Sequence, residues 1–118
     1  MELEKLIKQW FEKCEKGDFL NLPISKNFNH TSPFGTIKGK DKYISLVEAN
    51  KDKFLGYHFE IHDRIYNKDK ACVRYSAIQG DFNLDVSEWY YMKNNLIESV
   101  IAYYHIGQIR DERKLKKP

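Results

Sequence analysis

The chain has 118 residues, which is room for one domain but not for two. Its seven Phe, eight Tyr and two Trp can bury enough area for a core, and its two cysteines are too few for a disulfide framework. No apolar run is long enough to cross a bilayer and the first residues are charged, so we expect a cytoplasmic protein with no membrane partner.

The net charge of +3 belongs to the C-terminal end of the chain. Residues 110–118 contain five basic and two acidic residues, so the rest of the chain carries equal numbers of the two signs. We therefore expect a domain over residues 1–109 and a solvated basic tail over residues 110–118. No stretch interleaves basic and aromatic residues, so no nucleic-acid partner is expected.

The first predicted element is an amphipathic helix. Apolar residues recur at three- and four-residue intervals from Leu3 to Cys14, which places them on one helical face. Gly17 suits the end of this helix, because glycine adopts a left-handed backbone without strain. Asp18 then predicts the cap of a short second helix over residues 19–22.

A strand, a turn and a third helix are predicted next. Residues 27–34 alternate as a strand does, Ser-Pro-Phe-Gly at residues 32–35 forces a turn, and a return strand is expected at residues 36–38. Asp41 predicts the start of a helix that runs to about Lys53. Its expected buried residues are Ile44, Leu46 and Val47.

The second half of the chain has the two-residue period of strands. Four long strands are predicted, over residues 57–66, 71–79, 82–92 and 96–106. The turns between them are short, which makes neighbouring strands antiparallel. Strands this long must bend in a compact domain. The predicted fold class is therefore α+β, with N-terminal helices packed on a strongly curved, mostly antiparallel sheet that forms a cone-shaped barrel around a central pocket.

Three segments identify a family resemblance. They are Glu-Lys-Gly-Asp at residues 15–18, His-Thr-Ser-Pro-Phe-Gly-Thr-Ile-Lys-Gly at residues 30–39, and Asn-Leu-Ile-Glu-Ser-Val-Ile-Ala-Tyr-Tyr-His at residues 95–105. With the order of elements, they make residues 1–107 resemble the nuclear transport factor 2-like superfamily, in particular its SnoaL-like and ketosteroid-isomerase-like members. The resemblance implies an apolar ligand pocket on the concave face of the sheet and a homodimer formed through the convex face. No cofactor is expected.

Two mechanisms of this superfamily lack their residues here. The resemblance places the catalytic base of a ketosteroid isomerase at Ser32 and its oxyanion tyrosine at Trp10, and neither side chain can fill that role. Glu88 matches the protonated aspartate of that site as a longer homologue. The Arg-x-Asp pair of limonene epoxide hydrolase would fall on Arg74 and Ser76, which lacks the carboxylate. The resemblance therefore implies neither steroid isomerisation nor epoxide hydrolysis by these routes.

Strand alternation predicts which side chains face the pocket. Glu88 and the residues two positions from it are expected to point inward, with alternate residues of the neighbouring strands. The predicted ligand-binding residues are Trp10, Ser32, Arg74, Ser76, Tyr90, Val100, Ala102 and Tyr104. The opposite face is too apolar for a solvated surface, which predicts a homodimer interface. Its predicted residues are Tyr75, Trp89, Tyr91, Ile101 and Tyr103.

His30 and Glu88 are the candidate catalytic residues. Burial would raise the pKa of Glu88 and a neighbouring Arg74 would lower it, so the two form either a reactive pair or a structural ion pair. His30 is either a general acid–base or a hydrogen-bonded strand residue. His58 and His62 stand four residues apart, about 13 Å along a strand. That is too far for one ion, so no metal site is expected.

Three functions remain open from the sequence. The first is a SnoaL-like protein that binds a small, largely apolar ligand with one polar or anionic handle. The second is an isomerase, lyase or hydrolase that uses His30 or Glu88 for proton transfer. The third is a dimeric interaction module with a vestigial pocket.

Overall fold

The computed structural model describes residues 2–105, 107, 109 and 115, and these form two α-helices and six strands. The helices are α1 (Glu2–Lys16) and α2 (Lys40–Ala49), and one-turn 3₁₀-helices lie at Phe19–Asn21 and Lys51–Lys53. The strands are β1 (Ile24–Ser32), β2 (Gly35–Lys38), β3 (His58–Tyr66), β4 (Lys70–Gln79), β5 (Phe82–Lys93) and β6 (Leu96–Tyr103). The predicted basic tail, apart from Leu115, lies outside the described residues, as does Ile106 of the last predicted strand.

The six strands form one sheet in the order β2-β1-β6-β5-β4-β3. Neighbouring strands are antiparallel except β1 and β6, which run parallel. Register shifts interrupt three of the pairings, and such bulges bend a sheet. The predicted α+β fold is confirmed, with helices packed on a mostly antiparallel sheet. The predicted closure into a barrel is wrong, because β2 and β3 are the two edges of an open sheet.

Helix α1 packs on one face of this sheet, which we call the inner face. The buried residues of α1 are Leu3, Leu6, Ile7, Trp10 and Phe11. The helix ends immediately before Gly17, as predicted, and this glycine has a φ of 76°. A Cβ atom at Gly17 would lie 2.4 Å from Cδ2 of Leu55, so both the backbone and the available space favour glycine.

The predicted third helix is shorter than its sequence pattern suggests. Asn50 is fully buried, and its amide nitrogen Nδ2 donates to the carbonyl of Leu46 over 2.9 Å. The α-helix stops there and continues as the 3₁₀-helix Lys51–Lys53. Tyr43 and Val47 are the buried residues of α2, whereas Ile44 and Leu46 are half-buried.

Two other local predictions were wrong in detail. Asp18 forms no side-chain cap on the short helix; instead it accepts hydrogen bonds from Nδ2 of Asn21 at 2.7 Å and Nζ of Lys13 at 3.3 Å. The first strand begins at Ile24, three residues earlier than the alternation indicated.

No helix in the described part of the chain is long and apolar enough to cross a membrane.

The register of β4 against β5 decides which side chains share a face. Gln79 pairs with Phe82 across the two-residue turn, so Val73 pairs with Glu88 and Tyr75 pairs with Val86. Each even-numbered residue of β5 therefore shares a face with an odd-numbered residue of β4. The sequence-based prediction had placed even-numbered residues of both strands on the same face. Its assignment of the β4 side chains to the two faces is therefore wrong.

Candidate functional site

A cavity of about 560 Å³ lies between the inner face of the sheet and the helices. Much of its wall is apolar, with Phe11, Phe19, Ile37, Leu46, Phe54, Phe59, Ala77, Leu84 and Val86 among the lining residues. The ionisable side chains in the described part of the wall include Lys53, His30 and Glu88. An apolar wall with a few polar groups is typical of sites for small organic molecules.

Glu88 is the buried carboxyl of this cavity. It is 4 % exposed and stands between its cross-strand partners, Val73 of β4 and Ala102 of β6. The hydroxyl of Tyr75 donates to its Oε2 atom over 3.1 Å, and the hydroxyl of Tyr90 donates to Oε1. Within the described residues, no Lys or Arg forms an ion pair with Glu88. In the part of the chain that the structure describes, two tyrosines therefore compensate for its lost hydration.

This environment changes the protonation of Glu88. Burial raises its pKa from 4.5 to about 7, because the hydrogen bonds from Tyr90 and Tyr75 only partly oppose the loss of hydration. Burial and the nearby charge of Glu88 raise the pKa of both tyrosines well above the ordinary value, so both remain protonated donors. At neutral pH, Glu88 is thus divided between an ionised form that accepts hydrogen bonds and a neutral form that also donates one.

His30 lies on β1 and also lines the cavity. Its ring stacks on that of Tyr43, with the centroids 5.1 Å apart and the planes inclined by 24°. Burial lowers the pKa of His30 to about 4, so its imidazole is neutral at pH 7. A neutral imidazole offers one donor and one acceptor, but it is a weak base at that pKa.

Trp10 joins His30 to the core through an aromatic cluster. Its ring centroid lies 6.0 Å from that of Phe28, 6.4 Å from that of Tyr43 and 6.2 Å from that of Tyr90. Trp10 is 5 % exposed and lines the cavity, as predicted. Because it comes from α1 and its neighbours come from β1, α2 and β5, this cluster fixes the helices on the sheet.

Ser32 and Tyr104 line the cavity near the turn between β1 and β2. Burial raises the pKa of Tyr104, and a hydrogen bond with Ser32 partly opposes this. The ring of Phe34, in the turn, lies 6.2 Å from that of Tyr104, and Phe34 is half exposed. Ala102 is the sixth predicted site residue in this wall, with Trp10, His30, Ser32, Glu88 and Tyr104.

Tyr90 and Val100 do not form part of the cavity wall that the structure shows. Both face inward as predicted, but both are fully buried in the core behind it. Tyr90 affects the cavity through its hydrogen bond to Glu88. Val100 pairs with Tyr90 across β5 and β6, and with His30 across β6 and β1, so it supports the wall from behind.

Arg74 corrects the predicted pairing with Glu88. The β4 register places it on the outer face, where its Nε and Nη2 atoms lie 2.9 and 2.8 Å from Oδ2 of Asp63. Its side chain is 52 % exposed. The predicted pair of Arg74 and Glu88 is therefore wrong, since adjacent positions across this hairpin point to opposite faces.

Ser76 was also predicted to bind ligand and lies on the outer face instead. Its hydroxyl donates to Oδ1 of Asp85 over 2.7 Å and is 2.7 Å from Nε2 of His62. His58 contacts Oε1 of Glu15 at 3.3 Å, away from His62. Within the described part of the chain, no group of three or more His, Cys, Asp or Glu residues could hold a metal ion.

The residues of the predicted dimer interface divide between the two faces. Trp89, Ile101 and Tyr103 share the outer face with Arg74, and Tyr91 lies beside them. Trp89 and Tyr103 are 40 % and 58 % exposed. Tyr75 is instead 7 % exposed and lines the cavity, so its assignment to the interface is wrong for the same reason of register.

Among other lining residues, the predicted site did not include Tyr75, Tyr43 and Lys53. Tyr75 would have been found by pairing Gln79 with Phe82 across the short turn. Tyr43 precedes the buried Val47 by four residues, a helical spacing that the sequence contained. Lys53 carried no signal, because its entry into the wall depends on the break in the helix at Asn50.

Comparison of the structure with known structures identifies its fold. Over 88 % of its length the chain matches 90 % of an NTF2-like protein of unknown function from Cytophaga hutchinsonii, with a TM-score of 0.76 and 17 % identity. A SnoaL-like protein of unknown function from Burkholderia thailandensis gives a TM-score of 0.68 and 15 % identity, over 86 % of this chain and 93 % of that one. An LEH-like epoxide hydrolase of M. tuberculosis gives 0.75 and 13 %, over 91 % and 85 %.

These similarities confirm the predicted resemblance at the level of the fold. The chain has the NTF2-like fold that SnoaL-like proteins share. A scan against protein-family models finds no match, and a search of curated proteins finds none either. At sequence identities this low, structural similarity establishes the fold but not the activity, because the same fold occurs in proteins with different chemistries.

Proposed function

We propose that this protein binds a small, largely apolar organic molecule in the cavity, with Glu88 hydrogen-bonded to a polar group of the ligand. The observation that carries the proposal is a buried carboxyl in the wall of an apolar cavity of about 560 Å³, with two tyrosine partners and no cationic partner among the described residues. Burying such a group is unfavourable, so its presence in a wall of aromatic rings supports a role in recognition.

The chemistry of Glu88 favours a neutral oxygen as the group that it contacts. In its neutral form the carboxyl donates a hydrogen bond to a ketone or hydroxyl oxygen, and in its ionised form it accepts one from a hydroxyl. A ligand carbonyl would leave the two tyrosine hydrogen bonds largely in place. We therefore expect apolar alcohols and ketones to bind more tightly than hydrocarbons of the same shape.

The fluorescence of Trp10 provides the test. The chain has two tryptophans, and Trp89 lies on the outer face, so a Trp89→Phe variant reports on the cavity alone. Titration of this variant with adamantanemethanol should change the emission of Trp10 and raise Tm. A Trp89→Phe/Glu88→Leu variant should lose several-fold in affinity for the alcohol. If the alcohol leaves both emission and Tm unchanged, the proposed function is wrong.

A second candidate function is proton transfer at Glu88. The observation that favours it is the pKa of about 7, which is suited to a general base at neutral pH. One neighbour of the same fold is described as an epoxide hydrolase. A nitrobenzisoxazole tests this candidate: removal of its carbon-bound proton by the carboxylate breaks the ring N–O bond and releases a coloured phenoxide nitrile.

Catalysis by Glu88 predicts a rate that rises with pH through about 7 and is lost in Glu88→Gln. His30→Gln is the matched control, because it removes the other candidate base from the same cavity. Retention of the rate in Glu88→Gln and its loss in His30→Gln would transfer the role to His30. A rate equal in all three proteins would mean that the cavity binds without catalysing this reaction.

We also propose that the outer face forms a homodimer. Trp89 and Ile101 are cross-strand neighbours there, with Tyr103 nearby, and exposed aromatic residues on a sheet face support association. Trp89→Glu should give a monomer by light scattering, and an unchanged dimer mass would contradict this interface.

The two unpaired cysteines, one on α1 and one on β4, are compatible with the expected cytoplasmic location.

A further inference from the structure

Lys53 is a cation in the wall of the cavity. It ends the 3₁₀-helix Lys51–Lys53, and its side chain is 14 % exposed, against 49 % for Lys51 in the same turn. Among the described lining residues, it is the one Lys or Arg side chain. Its neighbours Phe54 and Tyr57 also contribute to the wall, so the lysine stem enters an aromatic environment.

The ion pair of Lys53 is weak. Its Nζ atom lies 3.6 Å from Oδ2 of Asp52, which is longer than a hydrogen bond, and the Asp52 side chain is 78 % exposed. An ammonium group has three donors, and this contact satisfies none of them well. Among the described residues, the ion pair of Lys53 is with Asp52 and not with Glu88, which accepts hydrogen bonds from Tyr75 and Tyr90. The wall thus includes a lysine whose ammonium group can take a further acceptor.

We propose that Lys53 binds the carboxylate of an apolar organic acid whose hydrocarbon body fills the cavity. This inference rests on the proposed function and makes it more specific, since it names the class of ligand and the residue that selects it. A largely buried ammonium interacts more strongly with an anion than an exposed one does, because less water competes for it.

A single negative charge suits this cavity better than a phosphate. One lysine is the only fixed positive charge in the described wall, and the carboxyl of Glu88 shares the space. A dianion would leave one charge uncompensated in apolar surroundings, which is unfavourable. A monocarboxylate matches the single ammonium, and a ketone or hydroxyl on the same ligand would be left for Glu88.

The alternative is that Lys53 covers apolar surface with its stem and keeps its charge for solvent. The two roles differ in a measurable way. Lys53→Met keeps the apolar stem and removes the charge, so if Lys53 only covers apolar surface, the variant should leave the affinities for charged and uncharged ligands in the same ratio. Loss of an anion-binding role would affect the carboxylate alone.

Two probes of matched shape separate these roles. Adamantanecarboxylate and adamantanemethanol share one hydrocarbon cage and differ in charge. Calorimetric titration at pH 7 and low salt should show that Lys53→Met weakens carboxylate binding at least about tenfold, as expected for a charge-assisted hydrogen bond, and leaves alcohol binding within about twofold. Added salt should weaken the carboxylate complex and not the alcohol complex.

Lys51→Met is the matched control, because Lys51 lies in the same turn, pairs with Glu48 at 3.8 Å and does not line the cavity. It should leave the affinities for both probes unchanged. If Lys53→Met leaves the ratio of the two affinities unchanged, the inference is wrong, while binding of the alcohol still supports the proposed function. If the unmodified protein binds neither probe, the proposed function fails and this inference fails with it.

Discussion

The inner and outer faces of the sheet differ in how they stabilise a carboxylate. On the outer face, Asp63 pairs with Arg74, and both side chains are more than half exposed. On the inner face, Glu88 is buried, and its partners among the described residues are two tyrosine hydroxyls and no cation. Water stabilises the first charge, and the second has only two dipoles to replace water. We therefore assign the proposed recognition or proton transfer to the inner face.

The largest expected effect is on the free energy of unfolding, when a tyrosine of the inner face and one of the outer face are each replaced. Tyr75→Ala removes a buried ring that contacts Phe11 and Phe59, so it should lower the free energy of unfolding by about 3–5 kcal/mol. Tyr103→Ala removes an exposed ring and should change it by about 0.5 kcal/mol or less. Urea unfolding of both variants in dilute solution measures the difference. Equal losses would contradict the assignment of Tyr75 to the inner face.

The next effect concerns the dependence of stability on pH. The folded pKa of Glu88 is raised, so its protonation favours the folded state, and stability should fall as pH rises from about 4.5 to about 7. Glu88→Gln removes this loss. Relative to the unmodified protein, the variant should gain about 3 kcal/mol between pH 4 and pH 8. A constant difference between the two proteins across this range would show that Glu88 titrates normally.

His30 should make stability depend on pH in the opposite sense to Glu88. Its folded pKa of about 4 lies below the ordinary 6.5, so protonation favours the unfolded state, and stability should fall as pH decreases through this window. His30→Gln should retain about 2 kcal/mol more of its neutral-pH stability at pH 4, a value set below the full shift because the residue is half-buried. Thermal unfolding between pH 4 and pH 7 would show no such difference if the ring were solvated.

The smallest effect belongs to the outer ion pair. Arg74→Met should lower the free energy of unfolding by less than about 1 kcal/mol, because exposed pairs contribute little. It should leave the affinity for adamantanemethanol unchanged, since the register directs Arg74 away from the cavity. Isothermal titration checks this, and a large loss of affinity would restore the pairing with Glu88 that the sequence first suggested.

Much of the fold could be predicted from the sequence. The apolar spacing of α1 and the glycine after it are local signals, and both helix and stop occur where they were predicted. The four long strands were also correct, because alternation and short turns do not depend on distant contacts. The break at Asn50 was not predictable, since it depends on the burial of one amide side chain against α2.

The candidate site was predicted only in part, because strand alternation is a local signal but the register between strands is not. His30, Ser32 and Glu88 were correctly placed because their strands keep the expected parity, and Tyr104, which directly follows β6, also lines the cavity. Between β5 and β6, a register shift near Tyr91 restores that parity despite the short turn. No such shift occurs between β4 and β5, so Arg74 and Tyr75 exchanged faces relative to the prediction.

The sequence by itself determined the class of the fold, the order of its elements and the alternation of each strand. Alternation states that two faces differ, but it is symmetric and does not say which of them the helices cover. Only the tertiary structure decided that, through the pairing of Gln79 with Phe82 and the packing of α1 over Tyr75. The same packing removed Glu88 from water without pairing it with a cation of the described residues, and that property depends on distant residues that no local pattern records.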